Sequence, residues 1–355
     1  MPASIKDIAK SLGISVSTVS LALNDKPRVS KEMRELVKQK AKELNYVKNG
    51  SALDLQRKRT NIILFIVNDA SRSFFSAIIN QLQTATANFG YDFIICTTYG
   101  DHLNTAKRFM KEHRADAAII FTGTVPDELI RSCANDDFPI VLLGRHLEAE
   151  NVYSLASEVL SESPITQYLI DLGHRKIAFV KGSSASLNTS RSFNQYKNTL
   201  NKNDIPFDDT LVFDAMGSSY KKGYAITEKL IDRIDEIDAI QYSTDDIAIG
   251  GILCLKDHHI QIPQQVSVIG HNNIAESGFI SPGLTTYGDT ADLYLYYEGI
   301  IHYLITLIEK EDNYQEITQQ LAYRLEHFDS KSKLIIREST GKCTKYNNQS
   351  SKKIN

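Results

Sequence analysis

The chain has 355 residues, 42% hydrophobic and 23% charged, which is ample apolar material for two or three folding units. Its net charge of -3 is unevenly spread: residues 1–60 hold 13 Lys or Arg against 6 Asp or Glu, and the rest holds 27 against 37. A head of +7 on a body of -10 suits a polyanion at one end. No stretch nears the roughly 18 uninterrupted apolar residues of a membrane span, so a membrane protein is excluded as an expectation.

The opening MPASIKDIAKSLGIS has no apolar run before a small-residue cleavage site, which predicts a chain that stays in the cytoplasm. Residues 4–23 read as two short helices. Ile5, Ile8, Ala9 and Leu12 recur at helical spacing, Gly13 interrupts, and Val16 to Leu23 resumes, with Ser4 and Ser15 as N-caps. A third helix is predicted from about Ser30 to Leu44, striped by Met33, Val37, Ala41 and Leu44. From Asn45 to Thr60 the apolar pattern weakens and Arg57, Lys58 and Arg59 cluster, which reads as a linker with a short helical stretch at 51–56.

From Asn61 the texture changes to buried-strand runs: IILFIV, DFIIC, AAIIF, PIVLL, KIAFV, DAIQY and QVSVIG, all but the last followed by amphipathic residues. That alternation predicts doubly wound parallel α/β sheets, and the series divides near residue 158 into two halves facing a cleft. The tail GKCTKYNNQSSKKIN is expected to be disordered. Cys96, Cys133, Cys254 and Cys343 lie too far apart for a metal cluster and read as free thiols. GSSAS at 182–186 lacks the Gly-Lys-Ser/Thr ending of a phosphate loop, and no nucleophile elbow occurs, so no catalytic residue, metal or cofactor is expected.

The sharpest motif is IKDIAKSLGISVSTVSLALN at 5–24, with the helix, turn and helix spacing of a DNA-reading element. The second helix opens on Val16, Ser17 and Thr18, with Ser20 and Leu21 one turn later. Hydroxyls there can reach phosphates, and an apolar side chain can meet a thymine methyl. The same pattern would serve an αα-hairpin with Val19 and Leu23 in its core, and both uses are compatible.

With RVSKEMRELVKQKAKELNYVKN behind it, this motif resembles the head of the LacI/GalR family of bacterial regulators. The resemblance continues in SRSFF at 71–75, LGHRKIAFVKG at 172–182, IPQQVSVIGHNN, SPGLTTY and LIIREST at 334–340. It implies a homodimer, with higher assembly left open, whose heads read a pseudo-palindromic double-stranded operator while a small effector binds between two core subdomains. It puts Val16, Ser17 and Leu21 at base-reading positions and Ser15, Thr18, Ser30, Arg34 and Tyr46 at backbone-contacting ones. Leu21 departs from a common Arg, which predicts an operator unlike that of relatives carrying Arg. In the hinge, Asn49, Ala52 and Leu55 match a pattern in which the Leu wedges into the minor groove. Lys48 in place of Pro, Gly50 and Asp54 are departures there.

A polyol needs an aromatic face and several directional hydrogen bonds, which Phe74, Phe75, Arg191 and Asp245 can offer. By resemblance Arg191 stands in the family's R-x-x-G-[FY] segment and Asp245 in its N-D pair. Asn272 replaces a common Asp, and Gln195, Ser157 and Glu158 also depart. With Asp69, these complete the expected effector set: Asp69, Phe74, Phe75, Arg191, Asp245 and Asn272. Asp245 could equally be a helix N-cap.

The resulting expectation is an α/β protein: a three-helix helix-turn-helix head over 1–48, a hinge over 49–60, and a periplasmic-binding-protein-like core of two doubly wound parallel-sheet subdomains over 61–340. The first subdomain takes 61–157 and 290–320, the second 158–289 and 321–340, and 341–355 is the tail. The expected function is a cytoplasmic, nucleoid-associated repressor of carbohydrate-utilisation genes, switched by a sugar or sugar phosphate. A purine or nucleoside effector, stacking on Phe74 or Phe75 and read by Asn272, is an alternative, as is a sugar-binding protein whose head only mediates assembly.

Overall fold

The computed structural model describes residues 3–46, 59–100, 103–155, 161–184, 186–290, 293–328 and 332–345. The chain forms two compact units, Met1–Thr60 and Asn61–Asn355.

In the first unit, helices Ile5–Leu12, Val16–Leu23 and Lys31–Glu43 enclose a small core of Ile8, Ala9, Val19, Ala22, Val29, Val37 and Ala41. The Asp7 carboxylate accepts from the Ser4 backbone N–H at 2.8 Å and its hydroxyl at 2.7 Å, fixing the first helix start. Gly13 at φ 65 makes the left-handed turn that a side chain would resist. Ser15 then caps the second helix, its Oγ accepting from the Thr18 N–H at 3.0 Å.

The second unit holds two sheets. The first contains β1 (Ile62–Val67), β2 (Asp92–Thr97), β3 (Ala117–Phe121), β4 (Ile140–Leu143) and β5 (Val152–Leu155), all parallel, in the order β2-β1-β3-β4-β5. Period-two alternation explains why β1 is apolar throughout. Ile63, Phe65 and Val67 meet helices Ser73–Asn88 and Tyr294–Glu309, while Leu64 and Ile66 meet Ala106, Met110 and Ile130 on the other face.

The second sheet contains β6 (Ile177–Lys181), β7 (Val212–Asp214), β8 (Ala239–Tyr242), β9 (Ser267–His271), β10 (Thr285–Gly288) and β11 (Lys333–Ile335), in the order β11-β10-β9-β8-β6-β7. Only the β10/β11 pair is antiparallel. In each sheet the first strand lies between the second and the third, so the order reverses at β1/β3 and at β6/β8. Those carboxyl-end crevices are where doubly wound sheets bind ligands.

Two expectations are corrected. Helix Tyr314–Glu326 buries Leu321 and Leu325 in the core of the first sheet, so the chain returns to the second half after this helix and not at 321. The tail is not disordered from 341. Gly341 N–H donates to Ser267 Oγ at 3.1 Å, Cys343 N–H to Leu172 O at 2.8 Å, and Lys345 Nζ to Ile237 O at 2.6 Å. Polar composition suggests disorder, but these residues pair with the Leu172 and Ile237 carbonyls and the Ser267 hydroxyl of the second half. Residues 346–355 lie outside the described residues. The short edge strands β5 and β7 were not predicted, because VYSL and VFD lack a buried apolar run.

Candidate functional site

A narrow cleft with about 30 Å³ of free space lies where the carboxyl ends of the two sheets meet. From the first half it takes Asn68, Arg72, Phe74, Phe75, Phe121 and Thr122. From the second it takes Ser186, Asn188, Thr244 and Asn272.

The aromatic wall is an edge-to-face cluster, with Phe74–Phe75 centroids 5.2 Å apart, Phe75–Phe121 5.5 Å and Phe74–Phe121 6.0 Å. Phe75 is buried and braces the wall. Phe74 is half-buried and packs against the cores of both halves.

The opposite wall is polar. Helices Tyr220–Glu228 and Asp245–Asp257 press together through Gly223 and Gly250: a Cβ on either would strike the other helix's backbone. That contact fixes the start of helix Asp245–Asp257, with Thr244 just before it in the cleft lining. Asn272 lines the cleft at φ 113, a costly backbone for a non-glycine residue, held by its N–H donating to Tyr287 O at 2.8 Å.

Native interiors leave few buried polar atoms unpaired. Among the described residues ten buried side-chain nitrogens and oxygens lack a hydrogen-bond partner. Seven of these, on Arg72, Arg145, Thr189, Ser243, Thr244, Asp246 and His271, sit at the carboxyl end of a strand or in the segment that follows it. Burial pushes the His271 pKa down to about 4, so its ring is neutral there at physiological pH.

Polar contacts of Arg72, Ser73 and Arg191 join the halves. Arg72, 7% exposed, faces Asp246, 3% exposed, with 3.8 Å between guanidinium and carboxylate. Ser73 Oγ donates to Glu276 at 3.0 Å and lies 3.0 Å from the Tyr220 hydroxyl. Arg191 donates to Gly144 O at 3.0 Å. Desolvation lowers the Arg72 pKa and raises that of Asp246, each only partly offset by the other's charge.

Of the expected effector set, Phe74, Phe75 and Asn272 line the cleft. Asp245 is a correction. Fully buried, it accepts from Thr286 Oγ1 at 2.6 Å, Ser277 Oγ at 2.8 Å and Ile274 N–H at 3.0 Å, so both carboxylate oxygens are occupied within the second half. Gly270 leaves the room this carboxylate fills. Arg191 and Asp69 are also corrected, since neither is among the lining residues. Arg191 is turned to Gly144, and Asp69 accepts from Ser71 N–H at 3.0 Å and its hydroxyl at 2.6 Å. Sequence reasoning missed the lining residues Asn68, Arg72, Phe121, Thr122, Ser186, Asn188 and Thr244, and Asp246 behind Arg72. The visible signals were an Arg directly after a strand and the doubled acid of TDD.

On the head, Val16 is 41% exposed and Ser17 is exposed, while Thr18 and Ser20 are half-buried. Ser15 and Ser30 spend their hydroxyls on capping Thr18 and Met33 N–H groups. Leu21 and Tyr46 are half-buried against the head core, so Leu21 does not project freely as expected. Arg34 is half-buried with its Nε unpaired. Asn49, Ala52 and Leu55 lie outside the described residues, as do Lys48, Gly50, Asp54, Ser157 and Glu158.

A helix-turn-helix head on a core of this topology defines a class: DNA-binding regulators with a periplasmic-binding-protein-like sensor. Residues 4–49 match the family described as bacterial regulatory proteins, lacI family, and residues 60–294 that of periplasmic binding proteins and the sugar binding domain of the LacI family. The chain belongs to the LacI family. It is 28% identical over 345 residues to the HTH-type transcriptional regulator RegA of Clostridium saccharobutylicum, covering 96% of this chain and 100% of that one. It is 28% identical over 294 residues to the HTH-type transcriptional repressor PurR of Vibrio atlanticus, covering 80% and 86%. The lac repressor dimer bound to operator and the anti-inducer ONPF has the same fold, with a TM-score of 0.69 at 20% identity over 96% of this chain and 100% of that one. The protein is therefore a DNA-binding transcriptional regulator and not an enzyme. Among the described residues no helix is long and apolar enough to cross a membrane.

Proposed function

We propose that the protein is a cytoplasmic, homodimeric repressor of carbohydrate-utilisation genes whose operator affinity is set by a sugar bound in the cleft, with induction as the response. The observation that carries the effector class is the pairing of walls. Phe74 offers an apolar ring to sugar C–H surface, and Thr244, Asn188, Ser186 and Asn272 offer hydroxyls and amides opposite. A ligand that bridges both walls favours one arrangement of the halves, and that preference is the coupling free energy passed to the head. The same reading assigns 1–48 to the head and 49–60 to a hinge in which Asn49, Ala52 and Leu55 meet the minor groove, with Val16, Ser17 and Leu21 at the base-reading positions.

The test is a thermal-shift screen of mono- and disaccharides beside purine bases and nucleosides, since a ligand of the native state raises its melting temperature. Sugars should shift it and bases should not. Those sugars should then weaken binding to a DNA selected from a random pool, in a complex whose affinity falls steeply with salt. Selection of the operator common to relatives with Arg at the Leu21 position would contradict the specificity argument. A purine effector is the second reading, favoured by Phe74 as a stacking face, by Asn272 and by the likeness to a purine repressor; a shift with bases alone would establish it.

A further inference from the structure

We propose that the cleft selects an uncharged ligand against its phosphorylated counterpart, and that the Arg72–Asp246 pair is the determinant. This deepens the sugar reading above and rests on it.

A buried guanidinium at a cleft wall is ordinarily an anion receptor, because its planar fork matches phosphate oxygens. Arg72 lines the cleft and is buried, so alone it would recruit a phosphate. It is not alone. Asp246 approaches it from the other half at 3.8 Å, the Asp69 carboxylate acts on it as well, and Glu276 adds its charge on the far side of Asp246. Of the other guanidiniums at this end of the sheets, Arg191 is directed to the Gly144 carbonyl at 3.0 Å and Arg145 to the Asp127 carboxylate at 3.1 Å. Two carboxylates, Asp246 and Asp69, thus act on the guanidinium that lines the cleft, and Glu276 adds negative charge through Asp246.

A sugar phosphate brings roughly -1.5 to -2 charges. To reach Arg72 it must displace Asp246, stranding a buried carboxylate, or lie beside it as a like charge; both are unfavourable. A neutral hydroxyl meets neither obstacle. Arg72 lines the cleft and its Nε has no hydrogen-bond partner, so it can donate to a ligand hydroxyl while Asp246 stays paired with it.

Inorganic phosphate is the probe, and the full chain is the sample. Its unfolding temperature is followed against phosphate concentration, with chloride at matched ionic strength, in wild type and in Asp246→Asn. Comparing variant with wild type cancels the general salting-out effect of phosphate. The expected result is no saturable stabilisation of wild type, and saturable binding at least about tenfold tighter in Asp246→Asn, lost again in Asp246→Asn/Arg72→Met. Saturable phosphate binding to wild type of equal strength, or no gain in the folded variant, overturns the proposal. Should Asp246→Asn not fold, Glu276→Gln serves, because Glu276 is exposed. It should gain phosphate affinity in the same direction to a smaller degree, and no gain there also overturns the proposal. The sugar reading fails separately, if wild type responds to nucleobases and to no sugar.

Discussion

The two halves of the core share one strand order and differ in what they bring to its carboxyl ends. The first half delivers rings, Phe74, Phe75 and Phe121, and a single cation. The second delivers hydroxyls and amides on Ser186, Asn188, Thr244 and Asn272, with the Asp246 carboxylate set against Arg72. The topology fixes where a ligand can lie, because strand order reverses at the same place in both sheets. The side chains fix which ligand, and here the labour is divided between an apolar wall and a polar one. A further division runs inside the second half: Asp245 holds the wall together, while its neighbours Thr244 and Asp246 keep unused hydrogen-bonding capacity.

The sharpest way to break this picture is Asp245→Ala. It leaves the donors of Thr286, Ser277 and Ile274 unpaired in the interior, and should cost about 3 kcal/mol of stability, read from urea unfolding of the full chain. A stable variant that merely loses effector binding would return Asp245 to the ligand set. The same carboxyl carries a pH signature. Burial raises its pKa from 3.8 to about 6, so between those values the native state holds more protons than the unfolded chain. Its contribution is therefore fullest below pH 3.8 and falls as pH rises toward about 6. Asp245→Asn should flatten that part of the stability profile relative to wild type.

Phe74→Ala tests the apolar wall. Calorimetric titration should show affinity for the identified sugar falling by roughly tenfold or more. An unchanged affinity would mean that the rings serve packing alone. Thr244→Val is the mildest change and the most discriminating. Its hydroxyl is buried and unpaired, so replacing it should leave ligand-free stability within about 0.5 kcal/mol of wild type while weakening the ligand about three- to tenfold. A clear loss of stability would show that Thr244 belongs with Asp245 as a structural group.

How much of this was legible in the sequence differs between the regions. The head was read closely, since its helices, the Gly13 turn and the caps at Ser4 and Ser15 are local events between residues a few positions apart. Leu21 was read as outward because spacing fixes a helix face but not how far a three-helix core of this size reaches around it. The seven strongly apolar strands were also legible, as runs buried on both faces cannot be polar. The short edge strands β5 and β7 were not, being defined by their neighbours rather than by their own pattern.

The cleft was the least legible region, and Asp245 and Arg72 show why. Both are charged residues next to strand ends, and nothing local distinguishes an acid that faces a ligand from one that faces Thr286, Ser277 and Ile274, all about thirty or more positions away. Sequence by itself determined the class of protein, the head and the alternation of strand and helix, because each is written in short-range periodicity and in a motif of twenty residues. Only the tertiary structure decided which charges are buried, which pair across the halves and which hydroxyls remain free. Those properties depend on desolvation and on partners that folding brings together from distant parts of the chain.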